Sequence, residues 1–351
     1  MASPLNNPAW VEWMTALIGG ASRQTFAATL PPARFYCLLD ELPLHLIPQH
    51  LAMQGARDRQ SEMLVVNPDC TLSAAGQLPD ELREIECIAA FARQGFALQG
   101  TIAWVRDPAT QNLLPFWLGP ELESILRRLH ANELAPPSLP ARDRFLLKAA
   151  GILIPEKAIA RCDRAREEIV SKAARLFREK GYAPISGLIH PFHLAALRRY
   201  YRHLVRIGAI RLGDSQSPRR YAAYNEPVAR FFHHQIAETI SAVAGEQLKP
   251  SYVYFASYVS GAELEKHTDR KQCEFSVTLC LDFSPEPRLE TSWPIRLDTP
   301  TGTVTVYQAL GDGLAYRGTR LPHYRDRLSA GRTSTSIFFH YVAEDFSGPL
   351  G

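Results

Sequence analysis

The chain has 351 residues, 46% hydrophobic and 21% charged, enough apolar material for a sizeable core and far from a disordered composition. A net charge of +3 is too small to make nucleic acid an obligatory partner, and no run approaches the roughly 20 apolar residues that span a bilayer. The six cysteines form no CxxC pair, which argues for reduced thiols, and the start lacks a basic signal-like region, so the expected location is cytoplasmic.

Residues 1–154 alternate short helical patterns with proline-rich breaks and are expected to form a mainly helical N-terminal domain. Leu122, Ile125, Leu126 and Leu129 recur at helical spacing, and a second helix is expected from Arg142 to Ala150. "MLVVNPDC" and "QGTIAWVRD" read as strands inside this half. It carries no ligand spacing, phosphate loop or nucleophile motif, so substrate presentation, a dimer surface and plain scaffolding all stand open for it.

Residues 155–351 open with a charged helical segment ended by Gly181, placed as a C-cap. Two more helices follow, "HPFHLAALRRYYRHLVRIG" and "PVARFFHHQIAETISAVAG". The arginine run from Arg198 to Arg220 is most simply a solvated helix face, with an anionic ligand as the alternative. From Lys249 the pattern turns to strands, about 249–345, suggesting an antiparallel sandwich or jelly roll packed on the helices. The class is therefore α+β.

Within "ELEKHTDRKQCEFSV", His267 and Asp269 stand two positions apart on an extended segment, so both side chains point to one side and can reach one metal. His323 is the candidate third ligand, brought in from a distant antiparallel strand. Two imidazoles and a carboxylate suit Fe(II) with open positions, and also zinc. Nine residues after His323 comes Arg332, with Ser334 two further on; together they make a carboxylate seat. Each piece alone has a plainer reading, as a loop histidine or a solvated turn arginine. Thr268, Arg270, Trp293, Tyr316 and Arg325 are candidates for the shell around the ligands, Thr268 and Arg270 being expected to point away from the metal. His233, His234 and His340 read as packing residues.

The stretch from Tyr252 to Val342, with "YVSGAELEKHTD", "GDGLAYRGTRLPH" and "GRTS", resembles the Fe(II)/2-oxoglutarate-dependent dioxygenases, in particular their prolyl-4-hydroxylase-like branch. The resemblance implies a double-stranded β-helix flanked by helices, with iron held by His267, Asp269 and His323. It implies 2-oxoglutarate as cosubstrate, its far carboxylate on Arg332 with Ser334, and Tyr258 lining that pocket. It further implies O₂ as oxidant, ascorbate as an aid to full activity, and hydroxylation of an amino acid, a peptide or protein side chain or a small natural product, with release of succinate and CO₂. Two other classes remain beside it: a barrel that kept its ligands but serves as a binding module, and a zinc-dependent hydrolase using the same three side chains. Neither membrane nor nucleic acid is an expected partner.

Overall fold

The computed structural model describes residues 34–40, 47, 63–74, 76–83, 85, 88, 100–107, 110–156, 159–214 and 216–351. Its centre is a pair of facing antiparallel sheets. Eight strands, β8 (Leu248–Tyr258), β9 (Leu264–His267), β10 (Phe275–Ser284), β11 (Ile295–Thr299), β12 (Gly302–Val306), β13 (Gly313–Tyr316), β14 (His323–Arg325) and β15 (Thr333–Ala343), are divided between them. β8, β10, β13 and β15 lie in a six-stranded sheet, widened by edge strands β6 (Tyr182–Ile185) and β7 (Arg220–Tyr224), in the order β6-β13-β10-β15-β8-β7. β9, β11, β12 and β14 form a four-stranded sheet in the order β12-β11-β14-β9. Crossing between two facing sheets in this manner is the jelly-roll arrangement that the strand pattern led one to expect.

The period-two alternation of β10 explains how the large sheet is covered on both sides. Val277, Leu279 and Leu281 join the core beneath the helices, whereas Cys280 and Phe283 pack toward the small sheet with Trp293, Leu310 and Leu328. Both faces of β10 are buried, and its polar members Ser276, Thr278 and Asp282 are enclosed with the apolar ones. The outer face is roofed by α4 (Ile159–Lys180), α5 (Pro191–Arg206), α6 (Pro227–Gln235) and α7 (Ala237–Ala244). Gly181 ends α4 at φ 77°, a left-handed conformation that favours glycine. α5 begins with Pro191 in its first turn and the His190 ring nitrogen accepting from the Phe192 N–H at 3.1 Å.

The mainly helical reading of residues 1–154 does not hold over the described part. β2 (Cys70–Ala74), β3 (Thr101–Arg106) and β4 (Leu113–Leu118) form an antiparallel sheet, and β1 (Leu64–Val66) pairs with β5 (Leu153–Pro155). The helices there are short: α1 (Asp80–Arg83), α2 (Pro120–Leu126) and α3 (Ala141–Ala149). β1 and β3 match the two segments read as strands, and β2, which begins after the Asn-Pro-Asp turn, was not read as one. β4 was missed because "LLPFWL" is apolar on both faces and contains Pro115, which demotes a strand on sequence grounds. Here β3 lies on one flank of β4, and the Pro115 carbonyl accepts from His193 Nε2 at 2.9 Å.

No break in the core falls at residue 154. Phe35, Phe116 and Trp117 pack into the same buried cluster as Leu194, Phe232 and Phe339. Two members of the arginine run, Arg198 and Arg220, are internal, while Arg202, Arg206, Arg211 and Arg219 are exposed. Arg198 is fully buried, bonded to Asp282 at 3.0 Å and Glu286 at 2.7 Å; Arg202 meets Asp282 at 2.5 and 2.8 Å; Arg220 is buried against Asp214 at 2.7 Å. The solvated-face reading therefore holds for the exposed members and fails for Arg198 and Arg220. Among the described residues, no helix is long and apolar enough to cross a membrane.

Candidate metal centre

β9 and β14 pair antiparallel in the small sheet with His267 directly opposite His323. Their rings stand 4.4 Å apart. Asp269 follows β9 as the chain leaves the sheet, and its Oδ1 lies 3.7 Å from His267 Nε2 and 3.6 Å from His323 Nε2. All three donor atoms fall within 4.8 Å of one another. Donors that share an ion at about 2.1 Å each lie at most about 4.2 Å apart, a limit that both separations from Asp269 Oδ1 meet.

The hydrogen bonds behind the donors also fit. His267 Nδ1 donates to the Glu265 carbonyl at 2.8 Å and His323 Nδ1 to the Leu321 carbonyl at 3.0 Å, which leaves the Nε2 lone pair of each ring aimed at the shared point. Burial, opposed by the Asp269 carboxylate, moves the His323 pKa below the usual imidazole range and keeps the ring neutral for ligation. Asp269 Oδ2 accepts from Ser276 Oγ at 2.7 Å, and its backbone N–H donates to the Gly318 carbonyl at 2.9 Å. One carboxylate oxygen is thereby fixed while the other faces the histidines.

Gly318 is a steric requirement. A Cβ there would lie 2.3 Å from Asp269 Oδ2 and 2.5 Å from both Ser276 Oγ and the Cys273 carbonyl oxygen. A second grouping of Asp269, Cys273 and His340 is geometrically compact but chemically spoken for. Burial pushes the Cys273 thiol up to about 12, its sulfur contacts the Tyr252 hydroxyl at 2.9 Å, and His340 Nδ1 meets Ser276 Oγ at 3.0 Å. His340, read from sequence as a packing residue, thus touches the hydroxyl that holds Asp269. His233 packs as expected, its Nε2 donating to the His340 carbonyl at 2.8 Å.

The three donors open onto a cleft of about 600 Å³, walled by Tyr254, Tyr258, Phe338 and the ion-paired Arg220 and Asp214. Thr268 and Arg270 border it too. Arg270 Nη2 donates to the Tyr252 hydroxyl at 3.0 Å. Tyr258 is buried and meets Trp293 edge-on, ring centroids 5.1 Å apart.

The expected carboxylate seat is placed differently from the ligands. Ser334 is buried and in register with Tyr258, but Arg332 lies just before β15, half-buried, with its guanidinium 5.9 Å from the Phe283 ring centroid. Arg332 does not border the cleft. Along β10, Phe283 is roughly 20 Å of strand beyond Ser276, the residue that touches Asp269. Sequence reasoning also passed over Ser276 and Gly318. Nothing marks a serine in an apolar strand, and the only signal for Gly318 is a glycine standing between a strand and His323.

No protein-family model matches the chain, and no curated protein matches it. Among solved structures it is similar to a non-heme alpha-ketoglutarate-dependent carbocyclase, SnoK from nogalamycin biosynthesis, at 13% identity and TM-score 0.43, over 51% of this chain and 86% of that one. It is similar to AviO1 from Streptomyces viridochromogenes Tue57 at 18% identity and TM-score 0.42, over 51% and 96%. A Pseudomonas putida prolyl-4-hydroxylase follows at 16% identity and TM-score 0.41, over 50% and 99%. Overlap this partial carries no weight for function, and it does not single out the prolyl-4-hydroxylase-like branch.

Proposed function

We propose that the chain is an Fe(II)- and 2-oxoglutarate-dependent oxygenase that hydroxylates a C–H bond of a small molecule or a peptide or protein side chain. The observation that carries this reading is the convergence of His267 Nε2, His323 Nε2 and Asp269 Oδ1 on one point at the floor of a cleft. Three protein donors on one face leave the remaining positions of an octahedral ion free for a bidentate keto acid and O₂, the pattern of non-haem Fe(II) oxygenases. Bound iron would supply the redox chemistry, activating O₂ as 2-oxoglutarate is decarboxylated to succinate and CO₂.

The chain's own residues supply placement. Ser276 and Gly318 orient Asp269, the carbonyls of Glu265 and Leu321 fix both imidazoles, and the tyrosine-lined wall borders the face where a substrate sits. The cosubstrate's far carboxylate needs a guanidinium within the barrel, and Arg332 with Ser334 and Tyr258 is the set read from sequence. A cleft of this size accepts a metabolite-sized substrate or one side chain of a larger one.

The test is turnover. Protein supplied with Fe(II), ascorbate and 2-oxoglutarate should release succinate above background, and Asp269→Ala should lose at least 100-fold of it. Failure to bind both a divalent metal and 2-oxoglutarate would remove the reading. Uptake of zinc with hydrolytic turnover and no succinate would favour the hydrolase alternative.

A further inference from the structure

Histidines aside, the charged side chains that line the cleft are Asp214, Arg220, Asp269 and Arg270. Three of them are committed within the protein. Arg220 pairs with Asp214 at 2.7 Å, and Asp269 is turned toward the two histidines and Ser276. Arg270 is different. Its guanidinium donates to the Tyr252 hydroxyl at 3.0 Å, lies 5.2 Å from the Tyr252 ring centroid, and forms no ion pair with a carboxylate among the described residues. Tyr252 is fixed in its turn, its hydroxyl 2.9 Å from Cys273 Sγ and its ring stacked on Tyr224 with centroids 4.7 Å apart. Gly351 packs beside both rings and adds no ion pair to Arg270. Burial raises both phenols and pushes the Cys273 thiol up to about 12, so the groups that hold the guanidinium are neutral. Arg270 is thereby positioned without being neutralised, and a guanidinium has more donors than one phenol can occupy.

We propose that Arg270, braced by Tyr252 and Tyr224, is the specificity-determining anion subsite for the substrate, and that the substrate is a metabolite-sized carboxylic acid with a flat apolar body. That this acid is the molecule oxidised rests on the oxygenase reading; the anion subsite does not. A planar guanidinium matches a carboxylate through two parallel hydrogen bonds. One unpaired arginine suits a singly charged head. A phosphate dianion would call on a second cation, and the other arginine of the cleft already has Asp214. The body of the acid has a surface to lie on, since Tyr254 and Phe338 line the same cleft with ring centroids 6.2 Å apart. The Tyr254 hydroxyl is taken by Asp214 at 2.8 Å, so that residue offers the acid its ring. Arg270 directly follows Asp269, one Cα step of about 3.8 Å, so a head held there keeps the carbons behind it close to the candidate metal ligands.

The experiment measures 3-phenylpropanoate, its primary amide and 2-phenylethyl phosphate by calorimetry, on the protein alone and on the protein loaded with Ni(II) and 2-oxoglutarate. Wild type should bind the acid at least tenfold more tightly than the amide, and more tightly than the phosphate. Arg270→Gln should bring the acid-to-amide ratio to about one with amide affinity unchanged, while Ni(II) and 2-oxoglutarate bind within twofold of wild type. Arg211→Gln, which removes an exposed charge outside the cleft, should leave the ratio as it is. An acid bound no more tightly than its amide by wild type, or a ratio that survives Arg270→Gln, overturns the proposal. A tenfold loss of 2-oxoglutarate affinity in Arg270→Gln with the acid preference intact also overturns it, and leaves the oxygenase reading standing. An Arg270-dependent acid preference in a wild-type protein that takes up neither Ni(II) nor 2-oxoglutarate upholds the anion subsite and removes the oxygenase reading.

Discussion

At the scale of single residues, the candidate metal centre depends on how tightly one carboxylate is held. Asp269 is fixed from two sides, by the Ser276 hydroxyl and by the backbone at Gly318. Ser276→Ala removes the bond to Oδ2 and leaves the carboxylate free to rotate; metal affinity should fall about 10-fold, read by calorimetric titration with Ni(II). Gly318→Ala is harsher, since its methyl would meet Asp269 Oδ2 at 2.3 Å and cannot be relieved by moving a flexible side-chain end alone, the Cys273 carbonyl standing at 2.5 Å. It should cost about 100-fold in metal affinity while the far-ultraviolet circular dichroism stays that of wild type. An alanine variant that binds metal normally would show that Asp269 is not where the ion is held.

At the scale of elements, two pairings do most of the positioning. The antiparallel register of β9 and β14 sets His323 across from His267, and a slip of one residue would turn one ring to the other face of the sheet. Helix α5 is fastened to the outside of β10 through Arg198 and Asp282. Arg198 is fully buried, so removing its partner leaves a charge that is only partly met by Glu286. Asp282→Asn should therefore lower stability by about 3 kcal/mol, measured as a shift of the urea midpoint. A midpoint unchanged within error would mean that Glu286 alone satisfies the guanidinium.

At the scale of the molecule, the continuous core ties residues before 154 to the barrel. Deleting residues 1–154 removes Phe35, Phe116 and Trp117 from contact with α5 and α6, so the remaining chain should be insoluble or bind a hydrophobic dye without a cooperative melt. A truncated chain that melts cooperatively would make the N-terminal half a separable unit. The same buried interface predicts sensitivity to acid. Burial lowers His193 to about 3, with His190 and His233 also moved down. Between pH 6.5 and 3 the unfolded chain takes up a proton on His193 that the folded chain refuses, so stability is full above 6.5 and declines as pH falls. His193 alone should subtract about 2 kcal/mol between pH 7 and pH 5. His193→Gln, which can still donate to the Pro115 carbonyl, should flatten the pH dependence of the urea midpoint by that amount; an identical slope would refute the assignment.

The sequence by itself brought out the candidate donors, the C-terminal run of strands and the helices before them. The pairing of His267 with Asp269 rests on a period of two, α5 on about 3.6, and the end of α4 on a glycine at φ 77°, whereas His323 was sought on a later strand. Tertiary structure decided what no local pattern encodes. Whether an arginine is solvated or enclosed depends on what packs over it, which is why Arg198 proved internal while Arg206 stands exposed. Ser276 and Gly318 matter only through the carboxylate that the fold brings to them, and β4 is a strand because β3 lies alongside it, despite its proline. Side-chain spacing along a chain is fixed by covalent geometry, whereas enclosure and charge compensation arise only when distant segments meet.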